Sequence, residues 1–109
     1  MEIELFKSAY NKKKEKKMSK IGLVVTTAHK GVFFGYGTPT DSDTIVLTDC
    51  RMCIYWPASV KGVMGLAVSG PLEGSRISPA VPVVTLREVT AVMEATEAAC
   101  GQWEKGLWK

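Results

Sequence analysis

The side chains with the clearest reactive spacing are two cysteines on one short segment. Cys50 and Cys53 have the Cys-x-x-Cys pattern, and with Cys100 and His29 they would supply four ligands of the kind that bind zinc. The sequence contains no second close pair of such ligands. An offset of three along an extended strand also points two side chains to opposite faces. We therefore expect buried thiols that act as small apolar groups, with a zinc site or thiol redox chemistry as the alternative.

His29 is the single histidine, so a Ser–His–Asp arrangement would have to be built around it. It lies beside Lys30 in a segment with a turn glycine, where a side chain is usually exposed. General-base catalysis needs a positioned partner, and the sequence indicates none. The carboxylates are scattered, and no glycine-rich phosphate loop is present. We expect no catalytic residue and no cofactor, which favours a binding protein over an enzyme.

The constellation that best fits a ligand is aromatic and basic. An arginine fork binds phosphate oxygens, hydroxyls and loop amides donate further bonds, and an aromatic ring stacks on a base. Side chains of these kinds occur on one strand and on the segments after it: Arg51, Tyr55, Trp56, Lys61, Ser75, Arg76 and Ser78. They predict a site for a nucleotide or another small anion. In the alternative interpretation, the two aromatic residues are core or interface anchors. Arg76 then pairs with Glu73.

The elements that must position these residues are mostly strands. β-Branched and aromatic residues predict strands at residues 21–27 and 32–36, joined by a hairpin turn at residues 28–31. Residues 37–43 have loop composition. Two further strands are expected at residues 44–48 and 51–56, with a bend or bulge at Asp49-Cys50 between them. Pro57 ends the second of these, because proline cannot donate into a strand ladder.

The second half of the chain is less regular. Glycines at 62, 65 and 70 leave residues 60–70 open to two interpretations, a short helix packed on its glycine face or a loop. Residues 71–82 read as a long irregular loop, which is more often functional or interfacial than idle.

Strands at residues 83–86 and 89–93 surround Arg87-Glu88 and predict a second hairpin. After them, Thr96 can cap a helix that runs to Lys105 and stops at Gly106. The sequence thus predicts an α+β fold: a small, mostly antiparallel domain of five to six strands with a C-terminal helix.

The charge divides the chain of 109 residues into a leader and a body. Residues 1–17 carry six lysines and three glutamates, so the whole net charge of +3 lies there and the remainder is neutral. We expect a basic, helical or flexible leader at residues 1–19 and one β-rich domain at residues 20–109. A charge run of this kind is usually a solvated, helix-prone tail without a partner. As alternatives, the leader could attract nucleic acid weakly, dock as an amphipathic helix, or be an addition upstream of a start at Met18. The neutral body argues against a dedicated DNA-binding domain.

Compartment and assembly follow from composition. The longest apolar run, residues 21–27, is too short for a membrane helix, and no secretory signal precedes it. Three cysteines without such a signal fit a reducing compartment, so we expect a cytoplasmic protein with no membrane partner. A small core, several strand edges and nine large aromatic residues favour a homo-oligomer.

The stretch from Lys20 to Trp108 resembles a family of small uncharacterised phage and prophage proteins, a domain of unknown function. The resemblance is carried by GVFFGY (31–36), LTDCRMCIYW (47–56), VKGV (60–63), RISP (76–79) and QWEKG (102–106). It implies a phage setting, in which small proteins without enzymatic activity sequester the nucleotide signals of bacterial defence between subunits. The expected function is therefore a homo-oligomeric sponge for a small anionic ligand in the host cytoplasm.

Two alternatives from other classes stay open. One is an adaptor that inhibits a host protein through an aromatic surface, which predicts a large exposed apolar patch and no small-molecule pocket. The other is a small metal or redox protein that uses the cysteines or His29.

Overall fold

The computed structural model describes residues 21–106, and the predicted leader at residues 1–19 lies outside this range. Six strands form one sheet: β1 (Ile21–Thr27), β2 (Val32–Gly37), β3 (Ile45–Tyr55), β4 (Arg76–Ile77), β5 (Val81–Leu86) and β6 (Val89–Glu94). A 3-10 turn at Ala58–Val60 leads into helix α1 (Gly62–Val68), and helix α2 (Glu97–Glu104) follows the last strand. The predicted antiparallel sheet with a C-terminal helix is confirmed.

The sheet has the order β4-β3-β2-β1-β6, and β5 also pairs with β3. All of these pairings are antiparallel. The predicted first hairpin is present, with Ile21 opposite Gly37 and Thr26 opposite Val32. The long strand β3 is the centre of the sheet, because it pairs with β2 on one edge and with β4 and β5 on the other.

The predicted second hairpin, between residues 83–86 and 89–93, is wrong. β5 pairs with β3 and β6 pairs with β1, so the chain changes partner at Arg87-Glu88. Glu88 has a positive φ of 56°, and backbone bonds of 2.9 Å join its carbonyl to the Ala28 N–H and the Asp43 carbonyl to the Val89 N–H. A bent strand lets the apolar side chains on both sides of the bend pack on the same core, which explains why this path is favoured over a hairpin.

Two hydrophobic cores lie on the two faces of the sheet. The helix-side core consists of Val24, Val32, Phe34, Cys53, Val60, Leu66, Ala67, Ile77, Ala99 and Trp103. The strand-only core consists of Leu23, Val25, Ile45, Leu47, Cys50 and Leu86. Because β1 contributes to both cores, its sequence is continuously apolar rather than alternating.

The bulge predicted at Asp49-Cys50 is present inside β3. Asp49 has a φ of 49°, and the pairing of β3 with β2 shifts register between Phe34 and Tyr36. An extra residue of this kind bends a strand and redirects the side chains after it. It lets β3 run unbroken past the bend, with Cys50 in the strand-only core and Cys53 in the helix-side core.

Of the two interpretations of residues 60–70, the short helix is correct, because the structure has helix α1 there. Lys61 and Gly62 both have positive φ, at 69° and 80°, and turn the chain into the helix. A Cβ atom added to Gly65 would collide with the backbone carbonyl of Val60. Glycine therefore lets the 3-10 turn lie directly on α1. The predicted loop at residues 71–82 also needs correction, because it contains β4 and the start of β5.

Helix α2 begins as predicted, with the Thr96 hydroxyl accepting the Ala99 N–H at 3.0 Å. Trp103 is fully buried and stacks on Phe34, with 5.1 Å between ring centroids. Its indole N–H donates to the Leu66 carbonyl at 3.0 Å, which joins α2 to α1. Among residues 21–106, no helix has the length and apolar character to cross a membrane.

Candidate ligand-binding edge

Tyr55 and Arg76 lie opposite each other where β4 pairs with the end of β3. The pairing shifts register between Cys53 and Tyr55, so β3 has an irregularity at Ile54 just before this pair. Tyr55 is 54% exposed and Arg76 is also exposed. Within residues 21–106, neither side chain has a hydrogen bond or ion pair, so the alternative pairing of Arg76 with Glu73 is not formed there. This edge therefore offers a guanidinium and an aromatic ring to solvent, and we call these two residues the Tyr55–Arg76 edge.

Two other residues predicted for the site flank this edge along the chain. Lys61 is exposed, and its ammonium has no ion pair within the described part of the chain. Trp56 is half-buried and packs against the helix-side core. Trp56 thus occupies the position of a core anchor.

The structure brings Arg51 and Ser78 together, but each side chain bonds to a backbone group of the other residue's segment. The Arg51 guanidinium donates to the Ser78 carbonyl at 3.3 Å, and the Ser78 hydroxyl accepts the Met52 N–H at 2.8 Å. A Cβ atom added to Gly106 would lie 2.5 Å from the Arg51 Nη1, so the guanidinium also lies against the end of α2. A cation is favourable at a helix C-terminus. Arg51 thus joins β3 to the segment after β4 and to the C-terminal end of α2.

Ser75 is the remaining predicted residue, and it lies immediately before Arg76 in the turn that leads into β4. Its side chain is buried, with 2% exposure, and its hydroxyl has no hydrogen-bond partner among the described residues. A buried hydroxyl without a partner is costly by about 1–3 kcal/mol. Ser75 was predicted for the candidate site, but its hydroxyl is shielded from solvent and does not face a ligand at the exposed Tyr55–Arg76 edge.

Two cavities lie away from this edge. An open cavity of about 350 Å³ is lined mainly by hydroxyl-bearing residues: Tyr36, Gly37, Thr38, Thr40, Thr44, Ile45, Val46 and Thr48. A second, of about 410 Å³, is lined by Pro39, Thr40, Asp41, Val92 and Glu94. Neither lining contains lysine or arginine, and the second carries two carboxylates, so neither suits an anion. The recurring threonines of residues 38–48 were the one signal in the sequence for the first cavity, and the sequence interpretation missed it.

A polar cluster between β2 and α2 was also missed by sequence reasoning. The Tyr36 hydroxyl donates to the Glu104 carboxylate, and burial together with this bond raises the pKa of Tyr36 well above its usual value. Burial is also the main cause of the raised pKa of the Cys100 thiol, which lies near the same hydroxyl. The sequence places these residues 64 or more positions apart from Tyr36, so no local pattern reveals the cluster.

The cysteines and the histidine occupy the positions that their spacing predicted. Burial raises the pKa of both Cys50 and Cys53 to about 11, which keeps these thiols protonated and unreactive at neutral pH. Residues 21–106 contain no group of three or more side chains placed to hold a metal ion. His29 is exposed in the first hairpin turn, where it contacts the Glu88 carboxylate at 2.8 Å.

The chain matches one family model. Comparison with curated proteins and with solved structures gave no match. The family model covers residues 20–103, which include the whole sheet, α1 and most of α2. The chain therefore belongs to the family described as Domain of unknown function (DUF6948).

Proposed function

We propose that this protein is a homo-oligomeric binding protein that sequesters a small anionic ligand of the nucleotide class at the Tyr55–Arg76 edge. The main supporting observation is that exposed Arg76 on β4 pairs through its backbone with exposed Tyr55 on β3, and that neither side chain has a hydrogen bond or ion pair within residues 21–106. A guanidinium binds phosphate oxygens and an aromatic ring stacks on a base, so this pair matches the two halves of a nucleotide.

Charge supports this edge over the two cavities as the place for an anion. The linings of both cavities lack a cation, whereas the edge has the exposed guanidinium of Arg76 on β4.

In a single chain the Tyr55–Arg76 edge is an exposed surface and not a cavity. We therefore place the ligand between two subunits. A flat site buries too little of a small molecule for firm binding, because ligand sites are usually concave. A second copy packed against this region would supply the missing wall. In the phage setting that the sequence resemblance implies, the ligand would be a nucleotide signal of bacterial defence, and the protein would act as its sponge.

The test is the affinity of the purified full-length protein for cyclic di-AMP, adenosine monophosphate and inorganic phosphate, measured by isothermal titration calorimetry. The variants are Arg76→Ala and Tyr55→Ala, which change exposed side chains and should leave the fold intact. Arg87→Ala is the matched control, since Arg87 is an exposed arginine at the bend between β5 and β6. We expect binding of at least one nucleotide to the wild type. The Arg76 variant should weaken it about 10- to 100-fold, the range for losing a charge-assisted hydrogen bond.

Loss of the ring in Tyr55→Ala should weaken nucleotide binding but not phosphate binding, because only the base stacks on it. Wild-type affinity in both variants would contradict the proposed site. Absence of binding to all three probes by the wild type would contradict the proposed ligand class.

The exposed apolar side chains favour a second candidate, an adaptor that binds a host protein. Ile54 is 50% exposed and Met52 is 38% exposed, and both flank the Tyr55–Arg76 edge on β3. Such side chains would anchor a protein partner. If the protein is an adaptor, Ile54→Lys should abolish partner binding. If it binds a nucleotide, the affinity should depend on Arg76 and not on Ile54.

A further inference from the structure

β5 is an edge strand with an open backbone. It pairs with β3 on one side, and no other strand within residues 21–106 pairs with its second side. An unpaired row of N–H and C=O groups is a template for another strand, and proteins usually protect it with charge, proline, bulges or short length. β5 is six residues long and has the sequence VPVVTL. Its register with β3 is unbroken from Leu86 opposite Ile45 to Val83 opposite Thr48.

Pro82 shows which backbone groups face the open side. A proline is tolerated in a strand where its nitrogen points away from the neighbouring strand. Backbone groups of successive residues alternate in direction, so the N–H and C=O of Val84 point away from β3 on the same side as the Pro82 nitrogen. The Val84 amide is therefore free to bond with a strand outside the chain.

The side chains of β5 do not oppose such a pairing. None of its six residues is charged, and two of its valines are exposed: Val81 at 47% and Val83 at 59%. Val46, 50% exposed, lies on the adjacent β3 opposite Thr85. Two copies of an uncharged strand meet without electrostatic repulsion, and both would bury valine surface that is otherwise in contact with water.

We propose that β5 pairs with β5 of a second copy of this chain, antiparallel and about a two-fold axis at Val84. In this register the two Val84 residues exchange two N–H to O=C bonds, and each Leu86 N–H donates to the Pro82 carbonyl of the other copy. Pro82 therefore removes only one N–H donor per copy from the interface, and its carbonyl still accepts a bond. Val83 of each copy lies opposite Thr85 of the other, and the two sheets become one continuous sheet. Such an interface is self-complementary, as closed two-fold symmetry requires.

This inference rests on the homo-oligomer of the proposed function and says which edge forms it. β4 and β5 both pair with β3, β5 at residues 45–50 and β4 at residues 53–55, so the second copy is joined along the same strand that carries Tyr55. The assembly is testable without any ligand, so failure of the pairing and failure of ligand binding are separate results.

The experiment compares the full-length wild type with Val83→Lys by size-exclusion chromatography with light scattering. We expect twice the chain mass for the wild type and the mass of one chain for the variant, because lysine on an exposed edge position blocks strand pairing. Met64→Lys is the matched control: Met64 is 69% exposed on α1, so the same substitution there should leave the dimer intact. Adding Thr85→Glu to Val83→Lys should restore the dimer, because the two positions face each other across the axis.

Amide hydrogen exchange, followed residue by residue by NMR, tests the register. In the wild-type dimer the Val84 N–H should exchange at least tenfold more slowly than in Val83→Lys, because only pairing with the second copy gives it a partner. A wild type that is a monomer at all concentrations would overturn the inference. An oligomer that survives Val83→Lys with an unprotected Val84 amide would also overturn it and would place the interface elsewhere, while the ligand titrations stand on their own.

Discussion

The thiols of Cys50 and Cys53 lie three residues apart on β3 yet pack in different cores. A Cys-x-x-Cys motif binds metal or cycles between thiol and disulfide only when both sulfurs reach the same point. The strand separates them, and burial keeps both protonated. The spacing predicted this separation correctly, because side chains alternate regularly from Cys50 to Cys53. Across the bulge the alternation fails, since Leu47 and Cys50 are also three residues apart but share one core.

The raised thiol pKa values give the protein a stability that depends on alkaline pH. A thiol with a folded pKa of about 11 and an ordinary value of 9.0 holds its proton more tightly in the folded state. The contribution of such a thiol to the free energy of unfolding is complete below pH 9 and is lost as the pH rises through 11. Between pH 8 and 10, the free energy of unfolding should fall by on the order of 1 kcal/mol for each thiol.

Urea unfolding of the wild type and of a Cys50→Ala, Cys53→Ala variant at both pH values measures this loss. The variant should be less stable at pH 8 but should lose less stability by pH 10. Met64→Ala, which alters an exposed side chain, should keep the wild-type loss. An equal loss in the wild type and in the cysteine variant would show that these thiols titrate alike in the folded and unfolded states.

The predicted binding residues divide into two groups for a physical reason. Arg51 carries the same guanidinium as Arg76, but the carbonyl of Ser78 and the end of α2 lie within its reach. Arg76 lies on a two-residue strand at the sheet edge and has no such neighbours among the described residues. Residue type showed that both could bind an anion. Only the fold shows which one is already engaged.

At the scale of elements, most strands, the first hairpin, the bulge and the cap of α2 could be predicted from the sequence. Each is encoded locally, by β-branched runs, a turn glycine, or a threonine before a helix. The partners of β5 and β6 could not, because two strands around Arg87-Glu88 have the same local pattern whether they pair together or with others. That choice depends on which arrangement buries Leu86, Val89 and Val92 around one core, which is information spread over the whole sheet.

Helix α1 depends on the contact between Gly65 and Val60. A Gly65→Ala methyl would collide with the Val60 carbonyl, which belongs to the backbone and cannot rotate away. We expect a loss of about 1–3 kcal/mol in the free energy of unfolding, the range for overpacking. Thermal and urea unfolding of the variant measure it.

Gly101→Ala is the matched control for this prediction. Gly101 lies exposed within α2, and a Cβ atom there would meet nothing within 4 Å. Since alanine is the better helix former, this variant should gain up to about 1 kcal/mol. Equal effects of the two substitutions would show that helix propensity, and not the contact with Val60, sets the requirement for glycine.

At the scale of the whole molecule, β4, β5 and β6 each pair with one strand only within residues 21–106. The two ends of the sheet meet where the chain bends from β5 into β6, and the helices cover one face. β5 and β4 pair with the same strand, β3, at its residues 45–50 and 53–55. The two proposals therefore concern the two strands that pair along β3 beyond β2.

Native mass spectrometry of the full-length protein, purified from bacterial cells and then mixed with cyclic di-AMP and adenosine monophosphate, tests the central claim most directly. It reports the number of chains and any bound nucleotide in the same spectrum. The proposed function expects a dimer, or a multiple of it, that retains or takes up a nucleotide. A bare monomer that takes up neither nucleotide would contradict it and would favour the adaptor function instead.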